Sequence, residues 1–320
     1  MWKYIVQRLL WLVVILFCVA VLIFTVLYFV PGDPAINALG SDSTPEERYE
    51  WREDYGLNDS YLEQLGSFLY NTFLRFDLGK SYSNKTPVIS EFGARLPRTL
   101  GLGLICLLVN IALGLPLGIA CALHRNTILD HLLTVLAMLG MCMPGFWLAL
   151  LMQQFFGAKM HWLPVMGVGT WQHWVMPIIA GSIAGVAGNV RQTRSAVLET
   201  IRADFITTAR AKGVSEGNVI LKHMLPNALI PILAMLGGAF GHVISGTVII
   251  ETVFTFPGVG MYMLTGTQSL DYPIVRGCVL ILAAFSAVAV LLVDLAYGMV
   301  DPRIKAQYVS YSKKSKKEAE

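Results

Sequence analysis

The chain has 320 residues, of which 55% are hydrophobic and 14% charged, and its mean hydropathy is +0.59. Soluble domains carry roughly a quarter charged residues, so this composition excludes an ordinary soluble domain and indicates a membrane protein. The net charge of +3 is too small to indicate a nucleic-acid partner. The five cysteines all lie in apolar runs without a Cys-x-x-Cys pair, which favours packing over metal or disulfide chemistry.

The first element is an apolar run from Leu9 to Val30, without a charge, that follows Lys3 and Arg8. At about 1.5 Å rise per residue it spans roughly 33 Å, enough to cross the hydrocarbon core of a bilayer. It is longer than the apolar part of a cleaved signal peptide and ends in "LYFVPGDP" rather than in a small-residue cleavage site. We therefore predict a retained first span in residues 1–30.

Five further apolar runs follow along the chain. They are Thr99–Leu123, Leu132–Phe156, Trp174–Val190, Asn227–Ile250 and Gly277–Val300. The sequence thus predicts an all-α membrane protein with six transmembrane helices. Its predicted parts are the first span, an extracytoplasmic loop region at 31–98, a five-helix core at 99–304 with a cytoplasmic loop at 191–226, and a charged tail at 305–320.

The distribution of basic residues predicts the orientation, because Lys and Arg are kept on the cytoplasmic side. With the N-terminus inside, the inner segments hold 15 Lys and Arg, whereas the two short outer loops hold only Lys159 and Arg276. The loop at 31–98 exceeds the roughly 60-residue length over which the rule operates. We predict that both termini are cytoplasmic.

Several catalytic and metal motifs are absent from the sequence. There is no GxxxxGK[ST], HExxH or GxSxG, and no pair of histidines four residues apart. We therefore predict no catalytic residue, no metal site and no cofactor bound by this chain. Asp294 and His242 are ionisable residues within the predicted spans, and an ion-coupled carrier normally needs more buried carboxylates than this. A secondary carrier or channel is the distant alternative, and helix capping or pairing is the alternative role for Asp294.

The loop at 191–226 has a helical pattern interrupted by a glycine. Its apolar residues recur at helical spacing over 194–212: Val197, Leu198, Ile201, Phe205 and Ile206. Gly213 fits the left-handed position that ends a helix, and Ser215 is a predicted N-cap for a second helix at Glu216–His223. Pro226 is predicted to begin the next span. We expect two helices meeting at an angle; contact with lipid headgroups is the alternative interpretation of this basic segment.

This loop resembles the "EAA" loop, E-A-A-x₃-G-x₉-I-x-L-P, of permease subunits in binding-protein-dependent ABC importers. Ala209, Gly213, Leu225 and Pro226 match its spacing, while Thr207 replaces its Glu and His223 its Ile. In that family the loop is a coupling helix that docks on a separate ATPase subunit. The resemblance implies a coupling role for these residues: Thr207, Ala209, Arg210, Lys212, Gly213, Val214, Ser215, Glu216, Gly217, Asn218, Val219, Leu225 and Pro226. Val214 to Val219 would dock, with Arg210 and Lys212 beside them.

Further motifs, in order along the chain, are similar to the dipeptide, oligopeptide and nickel permease family, and to its first, B-type membrane subunit. They are "PGDP" (31–34), "DLGKSYSNKTPV" (77–88), "LPRTLGLG" (96–103), "MPGFWLAL" (143–150), "WLPVMG" (162–167), "ETVFTFPGVG" (251–260), "DYPIVRG" (271–277) and "LLVDLAYGMVDPRI" (291–304). The motif residues singled out are Pro31, Gly32, Asp33, Pro34, Asp271, Tyr272, Pro273, Asp294, Asp301, Pro302 and Arg303.

The resemblance implies an ABC type I importer permease fold in the cell inner membrane. It also implies a second homologous permease subunit, two ABC ATPase subunits that carry ATP and Mg²⁺, and an extracytoplasmic solute-binding protein. Short peptides are the first expectation for the cargo, with chelated nickel or another small solute such as glutathione as alternatives. The loop at 31–98 would be either the docking surface for the binding protein or a solvated cap.

A turn follows the fifth predicted span, in "FTFPGVG". In a permease of this family it resembles an outer gate element, formed here by Phe254, Phe256, Pro257, Gly258 and Gly260. The alternative is a turn that anchors aromatic side chains at the membrane interface.

Overall fold

The computed structural model describes the backbone of residues 2–229, 231–232 and 245–300, and the side chains of 6–229, 231–232 and 246–293. The described chain is helical, with a β-bridge between Lys80 and Pro87. The α-helices are α1 (Trp2–Phe29), α2 (Pro34–Leu39), α3 (Pro45–Asp54), α4 (Tyr61–Leu74), α5 (Val88–Leu123), α6 (Ile128–Cys142), α7 (Gly145–Met152), α8 (Gln172–Ile201), α9 (Asp204–Ala211), α10 (Glu216–Asn218), α11 (Val248–Val253), α12 (Val259–Gln268) and α13 (Tyr272–Val300). Two π-helical segments, Gln153–Lys159 and Val219–Met224, extend α7 and α10, and a 3₁₀ turn, Ser245–Thr247, precedes α11.

The chain divides into two compact units. The first unit comprises residues 1–98 and 257–320, and the second comprises residues 99–256. Within the described residues, four helices are long and apolar enough to cross a membrane, and α6 with α7 makes a fifth if that bent pair is one span. The prediction at Asn227–Ile250 includes residues 233–244, which lie outside the described residues. The structure therefore accounts for four or five of the six predicted spans.

The third predicted span, Leu132–Phe156, is wrong as a continuous helix. The structure instead ends α6 at Cys142 and begins α7 at Gly145, with a bend of 97° between them. Proline disfavours helical backbone in the residue before it, and Met143 is accordingly extended while Pro144 occupies the N-cap position of α7. The "MPG" sequence thus breaks the span rather than bending it slightly.

In the first unit, the "PGDP" motif forms the turn from α1 into α2. The Asp33 carboxylate caps α2 by accepting a hydrogen bond from the Ala35 backbone N–H at 3.0 Å, and Pro34 occupies the first turn. Gly32 has φ +136°, and a Cβ there would lie 2.5 Å from Leu270 Cδ1. Only glycine allows both this backbone conformation and this close approach. The rest of the motif starts α2 by capping it.

The loop region 31–98 contains three short helices with strong local signals. Thr44 and Glu47 form a capping box at the start of α3, and Ser60 and Glu63 form one at the start of α4. These hydrogen bonds hold the pKa values of Glu47 and Glu63 below the ordinary glutamate value. In the core of this unit, α1 packs along α13 and α12 packs against α13.

In the second unit, small residues let α5 and α8 approach closely. A Cβ on Gly118 would lie 2.6 Å from Thr193 Cβ and 2.8 Å from the Val190 carbonyl oxygen. Gly181 and Gly185, which form the Gly-x-x-x-Gly pair of α8, face Cys106 and Asn110 of α5. Such packing of backbones replaces the hydrophobic effect as the source of helix association in lipid.

Candidate functional site

The loop at 191–226 contains a bent segment, residues 204–224, that we call the elbow. The helix predicted over 194–212 is wrong as one continuous helix. Instead α8 ends at Ile201, the Ala203 backbone is extended, and α9 begins at Asp204. This break rotates the chain so that Ile206 and Ala209 pack in one buried cluster with Val197 of α8, which a straight helix would not achieve at this position.

Gly213 ends α9 as the sequence predicts. Its φ is +78°, and no heavy atom lies within 4 Å of the place where a Cβ would be, so the conformation rather than crowding requires glycine. The Gly213 N–H donates to the Arg210 carbonyl at 3.0 Å and the Val214 N–H to the Ala209 carbonyl at 3.3 Å. This is the Schellman pattern of bonds that satisfies the last carbonyls of a helix.

Ser215 occupies the N-cap position of α10, but its hydroxyl does not cap the helix. It accepts a hydrogen bond from the Asn218 side-chain amide at 3.0 Å, and only its backbone carbonyl bonds into the helix, to the Val219 N–H. The side-chain cap predicted for Ser215 is therefore wrong.

The second predicted helix, Glu216–His223, is also longer and less regular than expected. After α10 it continues as the π-helical segment Val219–Met224 and then as helix over residues 225–229. Pro226 therefore lies inside a helical stretch and does not start one. The π-helical turn directly before Pro226 changes the bonding register, which lets the helix continue past a residue without an N–H.

The elbow has one face buried in the second unit and one face exposed. Val219, Met224 and Ala228 are at most 1% exposed and pack in the same cluster as Ile206 and Ala209. Val214 and Leu225 are partly buried against it. The exposed residues among those predicted at the tip and along α9 are Thr207, Arg210, Lys212, Gly213, Ser215, Glu216, Gly217 and Asn218. Pro226 is also exposed but lies beyond the elbow. Of the segment 214–219, then, residues 215–218 face outward.

An ion pair joins the two sides of the elbow. Arg210 Nη2 lies 2.5 Å from Glu216 Oε1, and Arg210 Nε donates to Glu216 Oε2 at 3.1 Å. The guanidinium lowers the pKa of Glu216 through these hydrogen bonds, and the carboxylate raises the pKa of Arg210. Both side chains are largely exposed, at 41% and 57%, so the pair orients the tip more than it stabilises the fold.

A second ion pair, which the sequence analysis missed, fixes α6 to α8. Arg194 Nε and Nη2 donate to the two carboxylate oxygens of Asp130 at 2.7 and 2.8 Å. Asp130 is 1% exposed and also accepts from the Asn126 backbone N–H. The sequence signal was an Asp in the first turn after the Thr127 cap, but its partner is 64 positions away and no local pattern identifies it.

The five residues predicted as an outer gate belong to different units. Phe254 and Phe256 lie in the second unit, at most 2% exposed, and the Phe256 ring contacts Trp174 edge to face with centroids 4.8 Å apart. In the first unit, Gly258 is the N-cap of α12, Gly260 is buried, and the Pro257 carbonyl accepts a hydrogen bond from Arg98. The two phenylalanines are core residues of their unit, and the gate role stays a prediction.

Two further buried carboxylates lie in the family motifs. Asp271 is fully buried, and its Oδ2 accepts from the Ser81 hydroxyl at 2.6 Å and the Ser83 N–H at 3.2 Å. This joins "DYPIVRG" to "DLGKSYSNKTPV" within the first unit, where Pro273 also packs near Gly79. Glu251, in the second unit, is fully buried and accepts from the Thr247 hydroxyl at 3.1 Å. It was missed, although a carboxylate in the apolar "GTVIIETVF" run was a usable signal.

Some predicted residues cannot be placed. His242, Asp301, Pro302 and Arg303 lie outside the described residues, as does the Asp294 side chain. Within the described residues, no group of three or more His, Cys, Asp or Glu side chains could hold a metal ion.

Long apolar helices and close helix packing at small residues define the class as a multi-pass membrane protein. Comparison with known families agrees. Residues 114–306 match the model "Binding-protein-dependent transport system inner membrane component", and residues 1–103 match its N-terminal counterpart. The chain belongs to this family of ABC importer permeases, in the peptide and nickel branch, and is a multi-pass inner-membrane protein.

Curated relatives match this chain over nearly its whole length. The chain is 36% identical to a glutathione transport system permease protein, GsiC, of Pectobacterium atrosepticum over 95% of this chain and 99% of that protein. It is 33% identical to a dipeptide transport system permease protein, DppB, of Alkalihalophilus pseudofirmus over 95% and 100%. It is also 33% identical to GsiC of Escherichia coli K12 over 95% and 99%. These relatives are transport permease subunits.

Proposed function

We propose that this chain is one of two homologous permease subunits that together form a translocation path for short peptides. An extracytoplasmic binding protein delivers the cargo, and two ATPase subunits bind ATP and Mg²⁺ and drive alternating access. Both termini and the elbow are placed on the cytoplasmic side in this proposal, consistent with the excess of Lys and Arg in the inner segments. The chain itself binds no cofactor and carries no catalytic residue.

The observation that carries the proposal is the division of the elbow into an exposed tip and a buried base. The exposed residues 215–218 are free to enter a cleft of an ATPase subunit. Val219, Ile206 and Ala209 are packed with Val197 of α8, so a displacement of the tip moves α8 with it. Since packed cores are not continuously deformable, this is a means of transmitting an ATP-driven movement to a membrane helix.

ATP can drive the permease only through a difference in contact free energy between its conformations. In this proposal the tip of the elbow contacts the ATPases differently in their different states. That change in contacts supplies the difference in free energy. The Arg210–Glu216 pair holds the two sides of the tip in one arrangement, which reduces the ordering required on docking.

The experiment that tests the coupling role uses the importer reconstituted in liposomes with its binding protein. Gly213→Val forces a β-branched residue into left-handed backbone, and we expect ATP hydrolysis no longer to be linked to uptake. Uptake per ATP that equals the parent value would contradict the proposal. Gly40→Val is the matched control, because Gly40 also has positive φ, +95°, and nothing within 4 Å of its Cβ position.

Glutathione is the second candidate cargo, because two of the relatives described above are named as glutathione transport permeases. Glutathione is itself a short peptide, so both candidates need the same architecture. Uptake assays distinguish them: a labelled dipeptide, labelled glutathione and chelated nickel are supplied separately with the binding protein. Uptake of glutathione but not of the dipeptide would select the second candidate, and uptake of the nickel chelate alone would contradict both.

A further inference from the structure

A basic cavity in the second unit lies between α8 and the loop that joins α5 to α6. Its volume is about 510 Å³. Leu198 of α8 lines this cavity and also packs against the buried cluster that holds the base of the elbow. The cavity is therefore the immediate neighbour of the elbow. The charged side chains that line it are Arg125, Arg194, Glu199 and Arg202.

The buried carboxylate of Asp130 holds both walls of the cavity in place. It neutralises Arg194 of α8 through the two hydrogen bonds described above, and its Oδ2 accepts the Asn126 backbone N–H at 3.1 Å. Asn126 has φ +62°, a left-handed conformation that asparagine adopts more readily than most residues. It turns the chain from α5 toward α6. Arg125, directly before this turn, is thereby fixed on the wall formed by the loop.

Positive charge exceeds negative charge among the remaining side chains of the walls. Arg125, Glu199 and Arg202 are exposed, and none of them forms an ion pair with another residue in the described part of the chain. Asp204, two positions after Arg202, starts α9 and does not line the cavity. Glu199 can neutralise one of the two arginines. One guanidinium is then left to bind an oxyanion from outside the chain.

The far end of the cavity extends beyond the lipid headgroups. Arg191 is the first Lys, Arg, Asp or Glu of α8 and is exposed, so the hydrocarbon core ends close to it. Arg202 lies eleven positions further along the same helix, which is about 16 Å at 1.5 Å per residue. The headgroup layer is only roughly 5–8 Å thick on each side of a bilayer. Arg202 therefore faces the aqueous phase, on the side where the elbow lies.

We propose that this cavity receives an acidic side chain, Asp or Glu, of the same ATPase subunit that docks on the tip of the elbow. This inference rests on the proposed function and adds a second contact to it. The helix between Arg202 and the tip, α9, has eight residues and is about 12 Å long. A standard protein interface covers about 800 Å² on each partner, which is roughly 30 Å across. One docked subunit therefore covers both the tip and the cavity.

The first test is a zero-length cross-link in the assembled importer, in nanodiscs of phosphatidylcholine, with Arg202→Lys in this chain. A water-soluble carbodiimide joins a lysine amine only to a carboxylate that contacts it, and mass spectrometry identifies the joined peptides. We expect a cross-link from position 202 to an Asp or Glu of an ATPase subunit. Arg191→Lys is the matched control, because position 191 is exposed on the same helix but does not line the cavity. It should give no such cross-link.

The second test is the affinity of the ATPase for the permease in the same nanodiscs, measured at several salt concentrations. The combined variant Arg125→Gln and Arg202→Gln loses two charges that face the partner. We expect its Kd at low salt to be at least about fivefold higher than that of the parent, with a weaker dependence on salt. Arg191→Gln should equal the parent.

The outcomes separate this contact from the proposed function. A cross-link from position 202 to Glu199 alone, or equal Kd values for the combined variant and the parent, would overturn the cavity contact. A loss of affinity that occurs only when anionic lipid is added to the nanodiscs would overturn the ATPase as the occupant. A parent permease that binds no ATPase would instead overturn the proposed function itself, and the cavity contact with it.

Discussion

Arg210 and Glu216 face each other across Gly213, with two hydrogen bonds of 2.5 and 3.1 Å between the guanidinium and the carboxylate. Six positions apart, they are brought together only because the backbone reverses at a left-handed glycine. The conformation of one residue thus creates the ion pair, and the ion pair in turn restrains the exposed tip. The shape of the elbow therefore depends on both the conformation of Gly213 and the ion pair, and each can be tested by substitution.

The pKa of Glu216 is a direct measure of the pair. Because Arg210 stabilises the charged carboxylate, the pKa of Glu216 lies below the ordinary value, so the pair is intact above that ordinary value and is lost as the pH falls through the lowered one. We expect Arg210→Gln to raise the pKa of Glu216 toward the ordinary value. The ¹³C carboxyl resonance of Glu216, assigned with Glu216→Gln, gives this titration. Arg202→Gln is the control, and an unchanged titration in Arg210→Gln would contradict the pairing.

Gly213→Val and Gly40→Val separate strain from coupling. Both place a β-branched residue at positive φ in exposed, uncrowded surroundings, and each should cost about 1–3 kcal/mol of stability. Only Gly213→Val should also reduce the uptake obtained per ATP. If uptake per ATP is the same in Gly213→Val as in Gly40→Val, the elbow has no role in coupling.

Asp130→Asn should destabilise the second unit. It leaves Arg194 facing a neutral amide where a buried carboxylate made two charge-assisted bonds, and removal of one partner of such a pair costs about 3 kcal/mol or more. Asp204→Asn removes another first-turn acid, from α9, that is exposed and should cost less than about 1 kcal/mol. Equal unfolding midpoints in denaturant for the two variants would show that the pair contributes nothing.

Gly118→Ala tests the close approach of α5 and α8. The added methyl group would meet the Val190 carbonyl oxygen at 2.8 Å, so the helices must separate, at a cost of about 1–3 kcal/mol. Gly188→Ala, which has nothing within 4 Å of the new Cβ, should instead be neutral or stabilising by up to about 1 kcal/mol. Thermal unfolding of the two variants compares them, and a stable Gly118→Ala protein would contradict the packing.

The features that the sequence predicted correctly depend on neighbouring residues. The end of α9 at Gly213 and the first apolar span follow from local spacing and composition. The similarity to the permease family, which was distributed over many short motifs, was confirmed by the family match and the relatives. Local backbone preference and hydropathy were sufficient for these.

The features that the sequence missed depend on residues far apart. The partner of Asp130 is 64 positions away, and the break between α8 and α9 exists because it buries Ile206 and Ala209 against Val197. Both outcomes are decided by packing between helices, which the apolar periodicity of a single helix does not show. The 97° bend between α6 and α7 was also missed, although its cause, Pro144, is local.

The most direct test of the central claim is photo-cross-linking from the tip of the elbow. A photo-reactive amino acid replaces Asn218, which is exposed at the end of α10, and the importer is irradiated in native membranes. We predict a cross-link to an ATPase subunit whose yield changes when ATP is added. In a separate Asn218→Cys variant, we predict no labelling of residue 218 by a membrane-impermeant maleimide applied from outside the cell. Labelling from outside, or an assembled complex without any cross-link to an ATPase, would contradict the coupling role of the elbow.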